Sequence, residues 1–195
     1  PSLIRINSPL TIIDIKQSSF ERCSSLETIP KFSSLTAICE ETFYCCSSIK
    51  SVTIPSSVTT ICKRSFSKCT SLESIEIPSS VTIISEESFS GCYSLKSITI
   101  PPSVTTIFEK TFYGCSSIKS VTIPSSVTTI GEGSFSGCSL LTSITVPPSD
   151  TTIFKKLYSY FFSLKSVTIP SSVTTICKET FSGCSSLQSV TIPSS

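Results

Sequence analysis

Residues 100–122 read Ile-Pro-Pro-Ser-Val-Thr-Thr-Ile-Phe-Glu-Lys-Thr-Phe-Tyr-Gly-Cys-Ser-Ser-Ile-Lys-Ser-Val-Thr, and the same sentence returns at a fixed step along the chain. Phe20, Phe43, Phe66, Phe89, Phe112, Phe135, Tyr158 and Phe181 fall 23 residues apart. Cys23, Cys46, Cys69, Cys92, Cys115, Cys138, Phe161 and Cys184 keep that step three residues later. Leu26, Ile49, Leu72, Leu95, Ile118, Leu141, Leu164 and Leu187 follow after another three. A fixed period between about 20 and 50 residues is the mark of a stacked-repeat architecture. The 195 residues hold about eight and a half units with no composition break, so residues 1–195 are expected to form a single solenoid.

The spacing inside one unit predicts its local structure. Leu95-x-x-Ile98-x-Ile100 ends in strict alternation, the pattern of a short strand with Ser97 and Thr99 on the other face. Pro101 closes it, because proline offers no N–H to a ladder and biases the residue before it towards extended backbone. The next two positions read as a turn, and Val104-Thr-Thr-Ile107 as a second brief extended segment. Glu109 to Cys115 suits a single helical or 3₁₀ turn ended by Gly114 in the left-handed region. Arg22, Cys45, Lys68 and Tyr160 replace that glycine elsewhere, so either the turn does without positive φ or those units carry strain. No unit can cover its own apolar faces, and stacking is what buries them. At about 4.8 Å per strand, eight units make a rod or arc roughly 40 Å long.

Leu95-x-x-Ile98-x-Ile100 resembles the strand of leucine-rich repeats, and the unit with Ile-Pro, Phe-x-Gly-Cys and Ser-Ser-Leu is similar to the BspA-like class found in surface proteins of bacteria and parasitic protists. The resemblance implies a mostly β, right-handed leucine-rich repeat solenoid with a parallel sheet on its concave side, and an association with adhesion and protein binding. The asparagine ladder of other repeat classes is missing: Asn7 is the one asparagine, and the Cys column and Ile-Pro step take its place.

The composition excludes much chemistry. Histidine is absent, which removes Ser-His-Asp and Cys-His nucleophile systems and imidazole metal ligands. No catalytic residue, cofactor or metal is therefore expected. The doublet Cys45-Cys46 lacks a second pair at zinc spacing. A net charge of +2 gives no footprint for nucleic acid. No run of 18 apolar residues spans a membrane, and the first residues do not form a signal peptide. Charged residues are 14% of the chain, and 46 serines and 25 threonines keep it wet instead.

Seven of the 11 cysteines share the inward column. Their parallel side chains oppose the disulfide dihedral near ±90°, so they are expected to be buried free thiols. Cys39 and Cys62 fill the slot after the inward Ile, nearer the surface, and are the strongest disulfide candidates.

Outward strand residues form columns on the concave face, with a lysine stripe beside them. The candidate partner-binding residues are Lys96, Ser97, Thr99, Lys119, Ser120, Thr122, Ser143, Thr145, Lys165 and Thr168. The plain alternative is that these hydroxyls serve solvation and β-propensity alone. Residues 146–168 break the pattern: Asp150 stands in the inward Val slot, Tyr160 replaces Gly and Phe161 replaces Cys. Asp150 is expected to turn outward or meet Lys155 or Lys156. Phe108, Tyr113, Phe154, Tyr160 and Phe162 are candidates for a convex aromatic patch. The sequence Ile-Pro-Ser-Ser-Val-Thr-Thr-Ile-Cys-Lys recurs from Ile54 and from Ile169, which points to duplication in blocks.

The chain reads as a piece truncated at both ends, whose uncapped faces predict end-to-end association. The expected function is a cell-surface or secreted, non-enzymatic adhesion module for a host, matrix or bacterial protein. The alternative is a cytoplasmic scaffold, which suits free thiols.

Overall fold

The computed structural model describes residues 14–29, 32, 34–145, 152–153, 161–171, 173, 175–176 and 178–192. Among them, fourteen short strands alternate along the chain between two ladders. The first ladder holds the Leu-x-x-Ile-x-Ile strands: β2 (Ser51–Thr53), β4 (Ser74–Glu76), β6 (Ile98–Thr99), β8 (Ser120–Thr122), β10 (Ser143–Thr145), β12 (Ser166–Thr168) and β14 (Ser189–Thr191). The second holds the Val-Thr-Thr-Ile segments: β1 (Ala37–Ile38), β3 (Thr60–Ile61), β5 (Ile83–Ile84), β7 (Thr106–Ile107), β9 (Thr129–Ile130), β11 (Thr152–Ile153) and β13 (Thr175–Ile176). All pairings are parallel and in register with the 23-residue step: Ser120 faces Ser143, and Ile107 faces Ile130. The brief extended segments of the sequence thus form a second row, hydrogen-bonded in order from β1 to β9 and again as β11–β13, while the first row is hydrogen-bonded as β2–β4 and in order from β6 to β14.

Between the ladders lies one apolar core. Val58, Val81, Val104 and Val127 are fully buried, as are Leu72, Leu95, Ile118 and Leu141. Phe43, Phe66, Phe89, Phe112 and Phe135 form a column of rings with centroids 5.2–5.6 Å apart. The Phe66–Phe89 and Phe89–Phe112 pairs lie within 1° and 3° of parallel. Phe161 is fully buried in the Cys column, so the larger ring is taken inside. Asp150, Lys155, Lys156 and Tyr158 lie outside the described residues.

The turn between the second strand and the Cys column is not the helical turn that its sequence suggests. Alternate amides divide their bonds. Thr42, Tyr44 and Cys46 donate to the carbonyls of Cys39, Glu41 and Phe43 three residues back, while Glu41, Phe43 and Cys45 donate to Lys63, Ser65 and Ser67 of the next unit. Left-handed residues at two places per unit make this alternation, at Glu41 (φ 54°) and Cys45 (φ 59°) and at their equivalents Arg64, Lys68, Glu87 and Gly91. A helix would turn every amide inward; here every second one is spent on the neighbour.

The left-handed slot therefore exists in every described unit, and Arg22, Cys45 and Lys68 hold it at a cost of about 1 kcal/mol each. Cys45→Gly is expected to stabilise the chain by roughly 0.5–1 kcal/mol, and Gly114→Ala (φ 71°) to destabilise it by about 1 kcal/mol or more, as read from urea denaturation midpoints. Gly131 answers a different need. A Cβ there would lie 2.5 Å from the Glu109 nitrogen, so the unit approaches its neighbour closer than any side chain allows.

Candidate functional site

Serine and threonine play two roles, and the hydrogen bonds separate them. In the turn after each Pro, the second serine binds backwards: Ser57, Ser80, Ser103 and Ser126 donate to the carbonyls of Leu35, Val58, Val81 and Val104 at 2.6–2.9 Å. Val58, Val81, Val104 and Val127 donate their amides to Pro55, Pro78, Pro101 and Pro124, which closes a four-residue turn. These hydroxyls are structural.

The strand hydroxyls differ. Ser97, Thr99, Ser120, Thr122, Ser143 and Thr168 are exposed, and among the described residues their side chains have no hydrogen-bond partner. Thr99 faces Thr122, Thr122 faces Thr145, and Thr145 faces Thr168, so the register lines them up across β6, β8, β10 and β12. Thr145 belongs to this row by its backbone. In β8 the pattern is exposed, buried, exposed: Val121 enters the core while Ser120 and Thr122 leave it.

The lysine stripe is divided. Lys96 is drawn to Glu73, with Nζ 2.5 Å from Oε2, and that ammonium holds the Glu73 carboxyl below its ordinary range. Lys119 and Lys165 are exposed and, among the described residues, unpaired, on either side of Thr142, whose hydroxyl donates to the Lys119 carbonyl at 3.1 Å.

Of the aromatic candidates, Tyr113 is 47% and Phe162 50% exposed, Phe108 is half-buried at the start of its turn, and Phe154 and Tyr160 lie outside the described residues. Sequence reasoning passed over Tyr93 and Leu140, at 53% and 47% exposure. Their signal was present. Tyr93 and Leu140 break the Ser-Ser pair before the inward Leu, as Phe162 does. Tyr93 lies beside Gly114, whose absent Cβ would stand 3.7 Å from its ring. A second missed group is ionic. Arg64 reaches Glu41 at 2.6 Å and Glu87 at 3.6 Å, and its guanidinium stands 4.6 Å from the centre of the Tyr44 ring. Lys68 stands 5.6 Å over the same ring.

The cysteine column is built from paired groups. Cys46, Cys69, Cys92, Cys115 and Cys138 are fully buried, and each thiol donates to the carbonyl of the Phe of the preceding unit, 26 residues back, at 3.0–3.4 Å. Burial pushes the Cys46 thiol up to about 12 and raises the other four well above their ordinary value. These groups are donors, not nucleophiles. Cys39 and Cys62 are free thiols in this structure. Among the described residues no three metal-ligating side chains come together, and no helix is long and apolar enough to cross a membrane.

A family described as BspA type leucine rich repeat region matches residues 2–119 and 105–195 in six copies, fewer than the eight and a half that length over period gives. No curated protein matches the sequence. Among solved structures, a leucine-rich repeat protein from Bacteroides ovatus is 32% identical with a TM-score of 0.91, over 96% of this chain and 49% of that one. The chain thus spans about half the length of that protein. A leucine-rich repeat protein from T. pallidum is 26% identical with a TM-score of 0.69, over 96% and 76%. One from Eubacterium ventriosum is 28% identical with a TM-score of 0.59, over 86% and 55%.

Proposed function

The chain belongs to the BspA type leucine-rich repeat family, and from that premise we propose that it is a non-enzymatic adhesion module that offers the outer face of its first sheet to a protein partner. One observation carries the reading: the strand hydroxyls of β6, β8 and β12 are exposed and, among the described residues, unpartnered, whereas the turn hydroxyls are consumed by the fold. A row of exposed donors and acceptors suits an extended partner backbone or side-chain amides, and Lys119 and Lys165 add a mildly cationic edge for an acidic one. Solenoids present long surfaces of this kind to their partners.

Capture of the partner by the chain, repeated with Lys119→Glu and Lys165→Glu together, tests this. Rim charges act mainly on association rate, so the double variant is expected to weaken binding by roughly tenfold at low salt and less at high salt. Unchanged binding with Thr99→Ala, Thr122→Ala and Thr168→Ala combined would move the site off this face.

The resemblance to surface proteins supports a cell-surface or secreted location. The buried thiol column, whose members donate to Phe carbonyls, suits the second reading, an intracellular scaffold. Antibody labelling of intact against permeabilised cells separates the two.

A further inference from the structure

We propose that Cys39 and Cys62 are a redox-responsive thiol pair, joined by a disulfide across neighbouring units when the chain meets an oxidised low-molecular-weight disulfide. Ile38 and Ile61 are direct partners in the β1–β3 pairing, and the Cys62 amide donates to the Ile38 carbonyl at 2.9 Å, so the two cysteines stand side by side just past the strand ends. Neighbouring strands lie about 4.8 Å apart, inside the roughly 4.4–6.8 Å between Cα atoms that a disulfide spans.

Three features separate this pair from the buried column. Both residues are half-buried rather than sealed, and among the described residues neither sulfur has a hydrogen-bond partner, whereas every fully buried thiol is committed to a Phe carbonyl. Both stand between a two-residue strand and a turn, so the small approach that S–S bonding asks of the Cβ atoms falls on strand ends and not inside a ladder. Ser85 and then Phe108 fill the same slot in the next units, so the pair is isolated from further thiols in that direction.

Either thiol can open the exchange; in one course the first attack is by Cys39. Its thiolate takes one sulfur of the reagent disulfide and expels a thiolate; Cys62 gives up its proton, attacks the Cys39 sulfur of the mixed disulfide and expels the second. Two protein thiols lose two electrons and two protons, and the reagent gains them as two thiols.

Equilibration of the folded chain with reduced and oxidised glutathione at several ratios, followed by alkylation and peptide mapping, tests the proposal. The expected result is one peptide pair linking Cys39 to Cys62, two fewer alkylated thiols, and full reversal by a dithiol reductant. Cys39→Ser and Cys62→Ser, which introduce the residue that the next unit already carries in this slot, are each expected to abolish the link and leave a glutathione adduct on the remaining partner. Cys45→Ser is expected to keep the link. Far-UV circular dichroism checks that each variant retains the fold, and mapping of the unaltered chain decides the matter regardless. Full alkylation of both thiols under oxidising conditions, persistence of two separate glutathione adducts, or a link from either residue to another cysteine would overturn it.

Discussion

Above pH 9 the folded chain is expected to lose stability steeply and to unfold within about one to two pH units. Cys46, Cys69, Cys92, Cys115 and Cys138 are held as neutral thiols in the dry core, where burial raises each above the ordinary value of 9.0. In the unfolded chain those thiols ionise from about pH 9 upwards. Their contribution is therefore complete below pH 9 and is lost as pH rises from there towards the folded-state values. One such group costs about 1.4 kcal/mol per pH unit, so five acting together cost about 7 kcal/mol per unit, against a total stability of about 5–15 kcal/mol for an ordinary domain. Urea denaturation followed by far-UV circular dichroism between pH 7.5 and 10.5 checks this, with a flat region up to about pH 8.5 and a fall beyond it. The double variant Cys92→Ala, Cys115→Ala starts less stable, yet its slope against pH is expected to be clearly shallower. An equal slope would assign the alkaline loss to other groups.

Phe89→Ala is the substitution with the largest expected cost, about 3–5 kcal/mol. The ring is fully buried and stands 5.6 Å from Phe66 on one side and 5.6 Å from Phe112 on the other. Deleting it removes the contacts of two unit interfaces at once, and the neighbouring rings cannot close the gap without breaking their own register. Phe20, half-buried and stacked on Phe43 at 5.4 Å, offers the comparison. Its alanine variant is expected to cost clearly less, because stability in a stack is a sum over neighbouring interfaces. Equal denaturation midpoints for the two variants would mean that the column does not carry stability unit by unit.

The inward slots are legible because a strict period repeats the same test many times: Leu95, Ile98, Ile100, Val104, Ile107, Phe112 and Cys115 stand at apolar or thiol positions that recur every 23 residues, and all are buried. Pro101 marked the end of a strand for a reason that holds in any fold. The turn was legible only at its end, where Gly114 is left-handed as expected. Its first left-handed slot holds Glu41, Arg64, Glu87 and Lys110, residues that carry no sign of positive φ, because packing from the next unit imposes a conformation that their propensity does not favour. The cysteine column could be seen, but not its purpose, since a hydrogen bond from Cys92 to Phe66 links residues 26 apart and appears only once two units are stacked. The exposed row from Ser97 to Thr168 followed from alternation alone, while the capture of Lys96 by Glu73 depends on two side chains meeting across units.

The in-register pairing has a consequence for how such a molecule changes through inheritance. Most units bind their neighbours through the same backbone amides, so removing or inserting 23 residues keeps that backbone pairing in register. The matching stretches that begin at Ile54 and Ile169 are suited to unequal recombination, which would exchange whole coils without scarring the seam. Reach then becomes a trait adjusted in steps of about 4.8 Å.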